Sequence, residues 1–286
     1  MKRESLLVFE IATPESVFGH NAPASGQCPV CDGAAEPVEY ICEVEPYVGK
    51  RLRGTNCAGC GLMRFPENEA SFEEEIADRD GGAFAKVLRE SRNAGSDRPG
   101  REFHMARMGI QIIVRPDAEV SFFGAGVNKD WQWLHRHYPG VRTKLVDLQN
   151  HQRAPHFEEI SRATPSDVVV AAEVIEHFSE PVAHFRTLLR LIKPDGLLIC
   201  STNVYDGTDI RRHNYPFFAG HVAYWTPLSL LQIAAREGLF VDFRSPKISF
   251  GRAGPRKKYV LFYRTQDMAF QVAHYFGTRL FAPSED

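Results

Sequence analysis

The chain has 286 residues, with 34 Lys and Arg against 36 Asp and Glu and a formal net charge of -2, so it has no general attraction to nucleic acid or to an anionic membrane surface. Hydrophobic residues make up 43% and charged residues 24%, a balance that supports a globular core. No window approaches the roughly 20 apolar residues of a spanning helix, and the start of the chain lacks the longer apolar run of a signal peptide, so the expected location is cytoplasmic.

The first expected unit is a zinc-ribbon-like module over residues 1–66. Its signal is Cys28-Pro-Val-Cys31 followed by Cys57-Ala-Gly-Cys60, with Gly33 and Gly61 next to the pairs. Two residues between cysteines let both thiolates turn back onto one ion, and two such knuckles complete a tetrahedral site. Cys28, Cys31, Cys57 and Cys60 are therefore expected to hold a structural Zn2+. Four thiolates leave no open position for catalysis, and no βαβ unit surrounds either pair to suggest a redox motif. Cys42 and Cys200 read as buried core residues, and Glu39 to Val44 is strand-like.

Residues 67–100 form a charged helical linker that ends in the loop-like SRNAGSDRPG. From 101 to 265 helical and strand periods alternate, the pattern of an α/β fold with a doubly wound, Rossmann-like, mostly parallel sheet. Strands are expected at Ala118–Phe123, Arg142–Asp147, Asp167–Ala172, Gly196–Ser201, Val241–Phe243 and Tyr259–Tyr263, with a remnant strand within His156–Ile160. DWQWLHRHY, Pro181–Leu191 and Leu228–Glu237 read as helices, the last capped by Thr226 with Pro227 at its first position. The basic run Arg252–Lys258 reads as a solvated turn before a strand. Residues 266–286 are a C-terminal helix or tail.

The segment SDVVVAAEVIEHFSEPVAHFRTLLRLIKPDGLLICSTN carries several anchors in order: Glu173-Val174-Ile175-Glu176-His177, then Pro181, then Lys193-Pro194-Asp195-Gly196. It resembles the fourth-to-fifth-strand region of class I methyltransferases that use S-adenosylmethionine (SAM), particularly the ubiquinone-type O-methyltransferases. The family's acidic-x-Gly-x-Gly-x-Gly turn aligns with Phe122 to Asn128, where Phe122 takes the acidic place and Asn128 the third glycine. The resemblance implies that Gly124, Ala125 and Gly126 approach the methionine and ribose of SAM. It also implies that Asp147 holds the ribose diol and that Glu173 belongs to the cofactor site. No residue is assigned to the adenine pocket.

Strand carboxyl ends face the ligand crevice in such sheets. His177 and His221 are accordingly expected to be catalytic, as bases toward the acceptor. His213, Tyr215 and Tyr224 are expected to bind substrate on the loop after the fifth strand. Two plainer alternatives stand beside these: Glu173 and Glu176 as a satisfied surface pair, and His177 as a cap of the next helix. The resemblance implies a SAM-dependent methyltransferase for a small-molecule acceptor, with O-, N- or C-methylation open. Two other readings are an RNA methyltransferase that grips nucleic acid with its zinc ribbon, for which residues 20 to 66 hold few Lys or Arg, and a non-catalytic interaction protein of the same fold. Oligomeric state is not legible.

Overall fold

The computed structural model describes residues 26–68, 98–126, 128–148, 150, 152–247 and 256–278. The expected linker helix lies outside the described residues except at its two ends, as do residues 1–25, residues 252–255 of the basic run and residues 279–286 of the tail. Three strands come first: β1 (Ala35–Ile41), β2 (Arg51–Cys57) and β3 (Met63–Arg64). Helix α1 (Arg101–Ile113) leads into β4 (Glu119–Phe123), α2 (Asp130–His137), β5 (Arg142–Asp147), β6 (Phe157–Glu159) and β7 (Ser166–Ala172). Next come α3 (Pro181–Leu189), β8 (Ile192–Asn203), β9 (Ala223–Tyr224), α4 (Pro227–Arg236), β10 (Phe240–Arg244), β11 (Lys257–Tyr263) and α5 (Gln266–Tyr275).

Seven strands form one sheet in the order β10-β11-β8-β7-β4-β5-β6. β6, β5, β4, β7 and β8 run parallel, and β11 enters antiparallel between β8 and β10. This is the doubly wound α/β sheet expected from the alternating periods. Both faces are covered, which is why its central strands read as nearly unbroken apolar runs. Along β7, Val168 and Val170 face the core under α1, α2 and α5, while Val169 and Ala171 face the core under α3 and α4. Leu197 and Ile199 against Leu198 and Cys200 repeat the division along β8.

β8 starts at Ile192, four residues before the expected Gly196. The Lys-Pro-Asp-Gly stretch is therefore the irregular start of a strand, and the β7–β8 register shifts between Ser166 and Val168. Gly196 allows that irregularity: a Cβ there would lie 2.9 Å from the Asp167 carbonyl oxygen. Backbone approach of this kind is a usual reason for glycine inside a strand. Thr226 caps α4 as expected, its hydroxyl accepting from Ser229 N while Ser229 Oγ accepts from Thr226 N.

β1, β2 and β3 form a second sheet whose fourth strand, β9, comes from the loop after β8. Cys42, Leu52, Met63 and Phe65 from the first strands share a core with Ile210, Tyr215, Phe217 and Tyr224 from that loop. The pairing of β3 with β9 therefore joins the cysteine-bearing strands to the loop expected to cover substrate. Among the described residues, no helix is long and apolar enough to cross a membrane.

Candidate functional site

The carboxyl ends of β4, β5 and β7 open onto a small crevice lined by Phe122, Gly124, Ala125, Asn128, Trp131 and Glu102, among others. The chain leaves β4 through Gly124 at φ +66 and Gly126 at φ +50, left-handed values that side-chain-bearing residues adopt only with strain. Gly124 also has no room for a side chain, since a Cβ would meet Val174 Cγ2 at 2.8 Å. Because β4 and β5 are parallel neighbours, the turn lies beside the end of β5. There Gly126 N donates to Asp147 Oδ2 at 2.8 Å and Leu148 N donates to Oδ1 at 2.7 Å. Asn128 Oδ1 accepts from Asp130 N at 2.6 Å and starts α2. The structure thus places Gly124 and Ala125 on the strand-end crevice, with Gly126 and Asp147 joined to each other at the next positions of the turn and the end of β5.

Beyond β7, Glu173 takes φ +55, a conformation a non-glycine residue holds only when its surroundings fix it. Those surroundings are Arg101 at 3.0 Å, Lys257 in direct contact, and Ser201 Oγ donating at 2.9 Å. Burial works to raise the Glu173 carboxyl, but Lys257 and Arg101 overcome it and its pKa is lowered. Glu176 is 0% exposed. Its carboxylate accepts from Tyr215 Oη at 2.5 Å and from Thr202 Oγ1 at 3.2 Å. Burial, with Glu173 adding to it, pushes the Glu176 carboxyl up to about 7. The alternative of a satisfied surface pair fails for Glu176, which lies inside the molecule, whereas Glu173 is half-buried and satisfied by its ion pairs with Arg101 and Lys257.

His177 stands next to Glu176, and its ring centroid is 5.0 Å from that of His221. Each ring places Nδ1 on a backbone carbonyl, His177 on Gly220 O at 2.7 Å and His221 on Tyr215 O at 2.6 Å. A carbonyl only accepts, so Nδ1 carries the proton and the lone pair is on Nε2 in both rings. His177 does not cap α3, whose start has no side-chain cap bond. Burial, then His177, lowers the His221 pKa to about 3. One nitrogen of each ring and a Glu176 oxygen lie within 4.8 Å of one another, close enough for proton exchange through one bridging group.

Tyr215 packs its ring 4.3 Å from His221 and 5.7 Å from Tyr224. His213 and Tyr224 lie one layer deeper, with His213 Nδ1 3.2 Å from Tyr224 Oη and His213 Nε2 2.7 Å from Thr208 Oγ1. Both are buried. The loop bearing these side chains is tied to the cysteine-bearing strands: Asn68 Nδ2 donates to the carbonyls of Pro216 and His221 at 3.0 Å, and Lys50 Nζ donates to Phe217 O at 2.7 Å. Sequence reasoning missed Asn68, Lys50, Glu102, Arg101 and Lys257. Each reaches the site from another element, and no local pattern signals that.

The four knuckle cysteines converge, with one sulfur of each within 4.8 Å of all the others. Cys28 and Cys60 are 3.7 Å apart, Cys31 and Cys57 3.3 Å. A zinc–sulfur bond of about 2.3 Å in a tetrahedron implies sulfurs about 3.8 Å apart, so the donor set and its size fit that ion. Gly33 and Gly59 leave the space, since a Cβ on either would lie 3.3 or 3.2 Å from Cys31 Sγ. Hydrogen bonding from Cys60 draws the Cys28 thiol down to about 5, and the Cys60 thiol rises in return. The lid of this cluster is α4: Thr226 Oγ1 donates to Cys60 O at 2.5 Å, and Arg236 donates to Pro29 O and Val30 O at 2.7 and 2.9 Å.

A family model described as a methyltransferase domain matches residues 80–242. The ubiquinone biosynthesis O-methyltransferase of Maricaulis maris is 33% identical over 99 residues, 34% of this chain and 34% of that protein. The corresponding enzyme of Ruegeria pomeroyi is 31% identical over 98 residues, again 34% of each. The matched stretch thus spans about a third of the length of these curated relatives. Among solved structures, a TehB-like SAM-dependent methyltransferase from Corynebacterium glutamicum superposes with a TM-score of 0.44 and 18% identity, over 64% of this chain and 96% of that one.

Proposed function

The chain belongs to the methyltransferase domain family, whose model matches residues 80–242, and from that premise we propose that it methylates a small-molecule acceptor with SAM as donor. The observation that carries this reading is the glycine turn at the end of β4, linked by the 2.8 Å Gly126–Asp147 hydrogen bond to the end of β5. Gly124, Ala125 and Gly126 offer bare backbone to the methionine and ribose. Asp147 offers two carboxylate oxygens to the ribose hydroxyls, each with a further lone pair beyond its present backbone bond. Glu173 holds Arg101 and Lys257 at the rim.

When bound, SAM supplies a methyl group on a sulfonium, whose positive charge disperses as the methyl moves. The protein aligns acceptor and methyl carbon and excludes water. The relatives are named O-methyltransferases, so a hydroxyl is the first acceptor to test. His177 and His221 present their Nε2 lone pairs to that hydroxyl's proton. Glu176, at about 7, is matched to receive a proton near neutral pH, where His221 at about 3 passes one on and does not keep it. Tyr215 lies against His221 and orients it, and His213 and Tyr224 support Tyr215 from below. Cys28, Cys31, Cys57 and Cys60 hold a Zn2+ that cross-links the two knuckles. Its coordination by four thiolates is structural. Cytoplasmic action belongs to this reading, supported by the two Cys-x-x-Cys pairs, which suit a metal better than a secreted disulfide frame.

The test pairs calorimetry with labelled SAM turnover on cell-extract metabolites. Binding of SAM, a labelled small product, and reduced turnover in His177→Ala or His221→Ala are expected. No binding at millimolar SAM removes the cofactor reading, and full turnover in both single variants removes the histidines from catalysis.

A further inference from the structure

The crevice beside the glycine turn has one feature that the family resemblance leaves unexplained. The turn's acidic position is Phe122, which is 4% exposed and packs into the core beneath α1 and α2. It provides no charge for the ligand. Of the side chains lining the crevice, among the described residues, only Glu102 is ionisable. Glu102 comes from the first turn of α1, upstream of β4, and reaches the same space as Gly124 and Ala125.

Glu102 lies near Asp130 of α2, which acts with burial to disfavour the ionised form of the Glu102 carboxyl. Asp130 is 0% exposed; its Oδ1 accepts from Gly100 N at 2.8 Å and its Oδ2 from Phe103 N at 3.0 Å. Those amides are at the positive end of α1, and they engage both Asp130 oxygens. Gly100 permits the approach, since a Cβ there would fall 2.6 Å from Asp130 Oδ2. Glu102 is the member of the pair that faces the crevice.

We propose that Glu102 binds the α-ammonium group of the SAM methionine moiety, a charge that Phe122 in the turn cannot meet. This inference rests on the SAM reading of the site. On binding, an ammonium N–H donates to the Glu102 carboxylate, and the proton formerly on Glu102 leaves to solvent. The charged groups facing Glu102 are Asp130 on α2 and Arg101 on α1. Burial and then Asp130 raise the carboxyl to about 7, against the pull of Arg101, so proton release is measurable near neutrality.

Calorimetry of the full chain with SAM, S-adenosylhomocysteine and 5′-methylthioadenosine tests this, in two buffers of different ionisation enthalpy and between pH 5.5 and 7. Over that range the α-amino group of both amino-acid ligands stays protonated. The first two ligands are expected to release close to one proton at pH 6, with affinity falling up to about tenfold per pH unit on acidification. 5′-Methylthioadenosine has no amino-acid group and is expected to show neither effect. Glu102→Gln is expected to lose the proton release and about tenfold or more in affinity for SAM and S-adenosylhomocysteine, with 5′-methylthioadenosine unchanged. Wild-type binding without proton release overturns the proposal regardless of whether the variant folds, and so does a Glu102→Gln protein that binds SAM as wild type does. Failure of the wild type to bind all three ligands overturns the SAM reading itself, and this inference with it.

Discussion

Replacing Glu176 with Gln separates what the buried carboxyl does for stability from what it does for chemistry. Gln keeps the shape and an oxygen to accept from Tyr215, and it stands in for the protonated acid. In the folded protein, burial and Glu173 raise the Glu176 carboxyl from 4.5 to about 7. A raised acid contributes stability that is fully present below about 4.5 and lost as pH rises through about 7, because in that window the folded state binds the proton more tightly than the unfolded one. At about 1.4 kcal/mol per unit, the loss is about 3 kcal/mol. Urea unfolding at pH 4.5 and pH 8 is the assay. Variant and wild type are expected to match at the lower pH, and the variant to be more stable by about 3 kcal/mol at the higher. Turnover of the variant is expected to fall, since its amide takes no proton. An equal stability difference at both pH values would refute the reasoning, because it would mean that Glu176 ionises in the folded state as it does in the unfolded chain.

Two further outcomes follow from the geometry. On the proposed zinc site, wild type is expected to bind one zinc ion per chain and Cys57→Ser less, by metal analysis. The substitution is also expected to lower Tm and raise the acceptor KM, because Cys60 O holds Thr226 and β3 holds β9. Gly124→Ala places a Cβ 2.8 Å from Val174 Cγ2 at φ +66; a loss of about 1–3 kcal/mol in denaturant unfolding is expected, with weaker SAM binding by calorimetry.

The α/β class and the central strands were legible because covered parallel strands leave contiguous apolar runs, as in Asp167–Ala172, and these need no knowledge of their partners. Even the remnant strand of His156–Ile160 appears, as Phe157–Glu159. β9 was not legible: two residues paired with Met63 and Arg64 carry no period, and their partner lies far away in sequence. The same holds for the site. Glycines, Asp147 and the histidines stand out as motif residues, whereas Glu102 reaches the crevice from α1, and Arg101 and Lys257 reach Glu173 from α1 and β11, by tertiary placement alone. The depth of Glu176 was also hidden, since an acid between two strand-like runs reads equally as surface or interior until the turn after β7 is seen to fold inward.

The pairing of β3 with β9 also sets an order of events during synthesis. Cys60 and the Thr226 that covers it are 166 residues apart, which at usual elongation rates is on the order of ten seconds or more of translation. Both cysteine knuckles thus leave the ribosome well before the strand that completes their sheet exists. Until then β3 presents an open edge, a template for wrong partners. Closing so long a loop is also slow. The loop bearing β9 is consequently among the last parts of the molecule to take shape, and a nascent chain stalled before Ala223 is expected to be the species most exposed to aggregation.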